Sequence, residues 1–180
     1  PSLQLMSVQG PIAREVRDVR LALAVMAQRD ARDPWWVPAP LEGPRLDAPI
    51  KVAVCKTPAG IACHEAVSQA IDAAANSLAN AGYSVEAKDP PLMAEIAENW
   101  RTLLFTDTKV MSEAAFQQYG SDDINQVLGD YLAASNVRDL DEYIRALADR
   151  TRLLRSWSMF MEDYPLVLAP VSQVPPFLQG

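Results

Sequence analysis

Between residues 50 and 87 the apolar residues change their repeat from alternate positions to every third or fourth, and then back. Ile50, Val52 and Val54 alternate with Lys51, Ala53 and Cys55, the pattern of a strand. After the turn residues Thr57-Pro58-Ala59-Gly60, the residues Val67, Ala70, Ile71, Ala74, Leu78 and Ala81 recur at helical spacing. Gly82 stands where a left-handed residue closes a helix, and residues 83–87 form a second short strand before Asp89-Pro90-Pro91. Strand, helix and strand joined this tightly pair in parallel with a right-handed crossover, so an α/β fold is expected.

Ahead of this unit, residues 1–10 show no regular pattern. Ile12, Val16, Val19, Leu23 and Met26 or Ala27 then mark an amphipathic helix over residues 12–28, with Arg14, Glu15, Arg17, Asp18 and Arg20 between them. Asp33-Pro34-Trp35-Trp36-Val37-Pro38-Ala39-Pro40 carries too much proline for a helix interior or a central strand, and loop is expected as far as residue 49. Behind the unit the pattern is helical to residue 163. One or two helices cover residues 93–119, and another covers 121–134 with Ser121 as its N-cap. The longest starts at Asp139, where Asp139 and Glu142 have the spacing of a capping box. On it Leu140, Ile144, Leu147, Thr151, Leu154, Trp157 and Met161 are expected to share one face. Pro165-Leu166-Val167-Leu168-Ala169-Pro170 reads as a short apolar strand between prolines.

Composition excludes several functions. With 49% hydrophobic and 22% charged residues the chain is of globular type. Its longest apolar run, residues 21–27, falls far short of the roughly 20 residues a membrane-spanning helix needs. The first residues do not have the pattern of a secretory signal. A net charge of −7 opposes binding to a phosphate backbone, and Arg145, Arg150, Arg152 and Arg155 are interleaved with acids. Cys55 and Cys63 match no metal spacing and no disulfide framework, so a cytoplasmic setting without nucleic-acid or membrane partners is expected.

Chemistry is equally sparse. The seven glycines are isolated, which excludes a phosphate-cradling loop, a dinucleotide fingerprint and a nucleophile elbow. His64 is the single histidine, so no zinc site is expected, and consecutive Cys63 and His64 would point in different directions on a helix. Asp122-Asp123 and Asp139-Asp141-Glu142 fall at helix starts, where negative charge favours the helix dipole. Trp35 and Trp36 are expected to fill an apolar crevice, and Trp100, Leu104 and Phe105 to form an apolar patch of core or pocket lining.

Three segments together resemble the amidase signature family. Gly10-Pro11-Ile12-Ala13-Arg14-Glu15-Val16-Arg17-Asp18, with Asp30-Ala31-Arg32-Asp33-Pro34 after it, is similar to that family's Gly-Pro-(Met/Ile)-Ala-Arg helix and the loop that ends it. Residues 50–87 resemble its strand–helix–strand, and Asp163-Tyr164-Pro165-Leu166-Val167-Leu168-Ala169-Pro170 resembles a late apolar strand of the family. The resemblance implies a mixed sheet flanked by helices, present as the C-terminal part of one partial domain over residues 1–180. It implies carboxamide hydrolysis through an acyl-serine intermediate, with a small-molecule amide as substrate and neither metal nor cofactor. The nucleophilic serine, a cis-peptide serine and a lysine would lie ahead of residue 1, so no catalytic residue is assigned and the chain alone is expected to be inactive. Met6, Trp100 and Phe105 are the expected contributors to a substrate pocket, and Arg14 and Asp18 are expected to make structural polar contacts. Self-association through exposed sheet surface is a further expectation. The competing reading is a non-catalytic α/β binding or assembly module.

Overall fold

The computed structural model describes residues 2–135 and 137–177 and divides at residues 46 and 47 into two compact units. The N-terminal unit contains α1 (Ser2–Met6) and α2 (Val16–Met26), followed by the proline-rich loop. α1 corrects the expectation of irregular chain over residues 1–10: five residues are too short for a period to show. α2 begins four residues later than the apolar repeat, with Glu15 in extended backbone at its N-cap and Ile12 99% exposed. No residue of α2 is buried, and Val16, Leu21, Val25 and Met26 are exposed. Beyond it, Asp30 Oδ1 accepts from the Arg32 backbone N–H at 2.8 Å and Asp33 Oδ1 accepts from that of Trp35 at 2.9 Å. These local bonds give the Asp-x-x-Asp-Pro loop its shape. Trp36 donates its indole N–H to the Ala27 carbonyl at 3.1 Å, whereas Trp35 is 60% exposed and fills no crevice.

The C-terminal unit is α/β. Its elements are β1 (Lys51–Val54), a short 3₁₀ turn (Pro58–Gly60), α3 (Glu65–Asn80), β2 (Ser84–Ala87), α4 (Met93–Met111), α5 (Glu113–Tyr119), α6 (Asp122–Ala134), α7 (Leu140–Asp163) and β3 (Leu166–Leu168). Among the described residues the sheet has the order β2-β1-β3, with both pairings parallel. Val52 lies opposite Val85 on one side and Leu166 on the other. The central strand carries the core: Val52, Ala53, Val54 and Cys55 are buried, joined by Ile71 of α3. Strands buried on both faces read as continuous apolar runs, as this one does from Val52 onward.

The helices are set by their ends. Ser121 Oγ accepts from Ile124 N–H at 3.4 Å, and Asp139 Oδ1 from Glu142 N–H at 2.9 Å, satisfying donors the first turn leaves free. Gly82 has φ +92° just beyond α3, a conformation that side-chain-bearing residues rarely adopt. The face of α7 differs from the expected one. Leu153 is buried and Trp157 half-buried, while Leu140, Ile144, Leu154 and Met161 are exposed. α7 has two apolar stripes, and the one holding Leu153 packs against α4, where Leu103 is fully buried and Asn99 Nδ2 donates to the Ala146 carbonyl at 2.8 Å. The Trp157 indole N–H donates to the Pro91 carbonyl at 3.1 Å, tying α7 to the segment that follows β2.

Candidate functional site

α4 supplies the aromatic residues that the sequence marks, and α6 adds one it does not. Trp100 and Phe105 meet edge to face, with centroids 6.5 Å apart and planes at 76°. Phe105 stacks on Tyr131 of α6 at 5.5 Å and 19°. The core anchor of this stretch is Leu103, which leaves Trp100 46% and Tyr131 56% exposed as an open aromatic surface. Trp100 and Phe105 are therefore brought together. Met6 ends α1 and belongs to the other compact unit. Tyr131 was missed because its partner is distant in sequence; the one local signal is its spacing of four from Val127 on α6.

Several charged and polar side chains make structural contacts. Lys109 pairs with Glu113 at 3.3 Å, and Arg138 with Glu142 at 3.2 Å. Burial and the Asp107 carboxylate push the Tyr143 hydroxyl up to about 12. His64 is the N-cap of α3, its Nδ1 accepting from Ala66 N–H at 3.2 Å, and Cys63 precedes the helix. In the N-terminal unit Asp18 approaches Arg17 at 3.5 Å, and Arg17 meets Glu15 at 2.7 Å. Among the described residues no group of three or more His, Cys, Asp or Glu side chains is placed to hold a metal ion. This surface can stack a flat apolar group.

A second concavity lies past the carboxyl ends of β1 and β2, the position where open parallel sheets form crevices. It encloses about 220 Å³ between the Thr57–Gly60 turn and the start of α4, with Asp89, Pro90 and Leu92 in its wall. Ala59 (φ 57°) and Leu92 (φ 58°) are both left-handed here. Such backbone in residues other than glycine is costly and clusters where a wall must bend sharply. Buried just behind is Cys55, whose thiol is pushed up to about 11 by desolvation and by the hydrogen bond it gives Asp89.

Comparison with known proteins gives a consistent result. The model of the Amidase family matches residues 2–180. Over 171 residues the chain is 46% identical to an indoleacetamide hydrolase of Bradyrhizobium diazoefficiens, covering 95% of this chain and 33% of that protein. It is 44% identical to an indoleacetamide hydrolase of Bradyrhizobium japonicum, with 95% and 37% covered. The chain thus spans about a third of the length of the curated relatives it matches. Among solved structures, fatty acid amide hydrolase superposes with a TM-score of 0.74 at 17% identity, over 92% of this chain and 31% of that one.

Proposed function

The chain belongs to the amidase family, and from that premise we propose that it is the C-terminal part of a serine amidase acting on an aryl-substituted acetamide. Carrying this reading is the 46% identity to an indoleacetamide hydrolase across 95% of this chain, set against 33% of the relative. In the whole protein a serine oxygen would attack the carboxamide carbon, ammonia would leave, and water would cleave the resulting ester to a carboxylate. The residues described here would take no bond-making step. Their part is to present Trp100 and Phe105 to the ring of the substrate, and to carry the sheet on which the rest of the domain is built.

Both compact units are read as pieces of one partial domain over residues 1–180. On this reading the exposed apolar residues of α2 and the edge strands β2 and β3 are surfaces that the remainder of the domain would cover, so the isolated chain would self-associate and lack activity. Two free cysteines and the acidic balance fit a cytoplasmic protein with no nucleic-acid partner. Among the described residues no helix is long and apolar enough to cross a membrane.

The test is immunocapture from the source cell with an antibody against this chain, followed by intact mass and ammonia release from indole-3-acetamide. A product heavier than 19.8 kDa that releases ammonia is expected. Trp100→Ala in that product should raise KM for the aromatic amide by about two- to twelvefold, the equivalent of a stacking contact of about 0.5–1.5 kcal/mol. A captured product of 19.8 kDa that releases no ammonia would overturn the proposal and favour the binding-module reading.

A further inference from the structure

The two cysteines lie at the two feet of one turn. Cys55 directly follows the central strand, fully buried, and its thiol donates to Asp89 while accepting from the Thr57 backbone N–H. The chain then reverses through Thr57–Gly60, closed by Gly60 N–H to the Thr57 carbonyl at 2.8 Å and Ile61 N–H to the Pro58 carbonyl at 3.1 Å. This reversal returns Cys63 beside the strand end, where its thiol donates to the carbonyl of Lys56 at 3.2 Å, one residue along from Cys55. Cys63 lies near enough to add, as the smallest contribution, to what holds the Cys55 proton. Cys63 is partly exposed and Cys55 is not. The amide hydrolysis proposed above has no use for either thiol.

We propose that Cys63 and Cys55 form a peroxide-responsive thiol pair, Cys63 being oxidised first and Cys55 resolving it as an intramolecular disulfide. The Cys63 thiolate attacks a peroxide oxygen, the O–O bond breaks, and Cys63 becomes a sulfenic acid while hydroxide leaves and takes up a proton. The Cys55 sulfur then attacks the Cys63 sulfur, its proton passing by way of Asp89 to the sulfenic oxygen, which departs as water. Two thiols are oxidised by two electrons in all, and one peroxide is reduced to two waters. The order follows from access: Cys63 is partly exposed, whereas burial and Asp89 keep Cys55 a shielded thiol. The bond closes a ring around the Thr57–Gly60 turn and takes from Asp89 the donor it holds, leaving a free carboxylate in the cleft wall.

Treating the native chain with hydrogen peroxide and measuring its intact mass tests this. The expected product has lost two hydrogens, carries one peptide joining residues 55 and 63, resists iodoacetamide, and is restored by dithiothreitol. The same treatment in urea should close the bond more slowly, because the turn no longer holds the sulfurs together. Cys55→Ser should stop at one added oxygen on Cys63, trapped by dimedone, and Cys63→Ser should leave Cys55 unoxidised. Accumulation of two or three oxygens on Cys63 of the unaltered chain with Cys55 still free, disulfide-linked dimers through Cys63, or closure as fast in urea as in the native state would each overturn the proposal. None of these readouts depends on amidase activity.

Discussion

Gly120 joins α5 to α6, and replacing it with alanine sets two physical effects against each other. Its backbone (φ −76°, ψ 156°) is ordinary extended geometry, so alanine meets no conformational penalty there. By itself, the smaller entropy of the unfolded alanine chain would stabilise the protein by about 0.4–1 kcal/mol. The added Cβ, however, would sit 2.5 Å from the Phe116 carbonyl oxygen and 2.6 Å from Ile124 Cγ2. That carbonyl already accepts the Gly120 N–H at 2.7 Å, so it cannot withdraw without loosening the end of α5. Forcing a methyl group into packed space costs about 1–3 kcal/mol, which leaves Gly120→Ala less stable by about 1–2 kcal/mol. Urea titration followed by far-ultraviolet circular dichroism should show a lower midpoint at unchanged slope, and thermal melting a fall of about 2–8 °C for a chain of this size. Adding Ile124→Ala should not restore stability, because the carbonyl clash survives and a side chain has been lost. A Gly120→Ala variant as stable as the parent, or more so, would refute the steric argument and leave the unfolded-state term in charge.

Two further outcomes follow from the same structure. Asp139→Ala should cost about 1 kcal/mol in urea unfolding, Asp139→Asn much less, and Ser121→Ala less than Asp139→Ala, because its cap bond is 3.4 Å rather than 2.9 Å. Stability should also fall as pH rises from 9.0 towards about 11, since the folded state holds the Cys55 proton more tightly than the unfolded chain does; that contribution is whole below 9.0 and gone above 11. Cys55→Ala should flatten this part of a urea midpoint-against-pH profile, and a parent profile with no slope there would contradict the burial argument.

What the sequence disclosed follows from where the physics is local. The strand–helix–strand of β1, α3 and β2 could be read directly because each element carries its own repeat and is followed by its own turn residues, Thr57–Gly60, Gly82 and Asp89-Pro90-Pro91 in turn. The caps Ser121 and Asp139 were equally legible, since a cap joins residues three apart. The α7 face was not: Leu140, Ile144 and Leu154 make as good a stripe as the one holding Leu153, and only the position of α4 decides between them. Ile12 shows the same limit from the other side, since its place in the repeat reports apolar character and its backbone is not helical. At the candidate site, Trp100 and Phe105 were visible as neighbours on one helix. Tyr131 depends on how α6 lies against α4, and the left-handed turn at Leu92 has no glycine or asparagine to announce it.

The strand order has a consequence for how the molecule is made. Val52 meets Val85 after a short excursion through α3, but it meets Leu166 only once α4 to α7 have all been synthesised. Closing so long a stretch of chain costs entropy that is recovered late, and pairings between distant segments slow folding. During synthesis β1 therefore waits with one flank unpaired while four helices emerge, and an apolar strand in that condition is what chaperones and stray strands both recognise. Pausing translation before β3, or removing Leu166–Leu168, should leave a nascent chain whose first strand pair is formed and whose sheet is still open to the wrong neighbour.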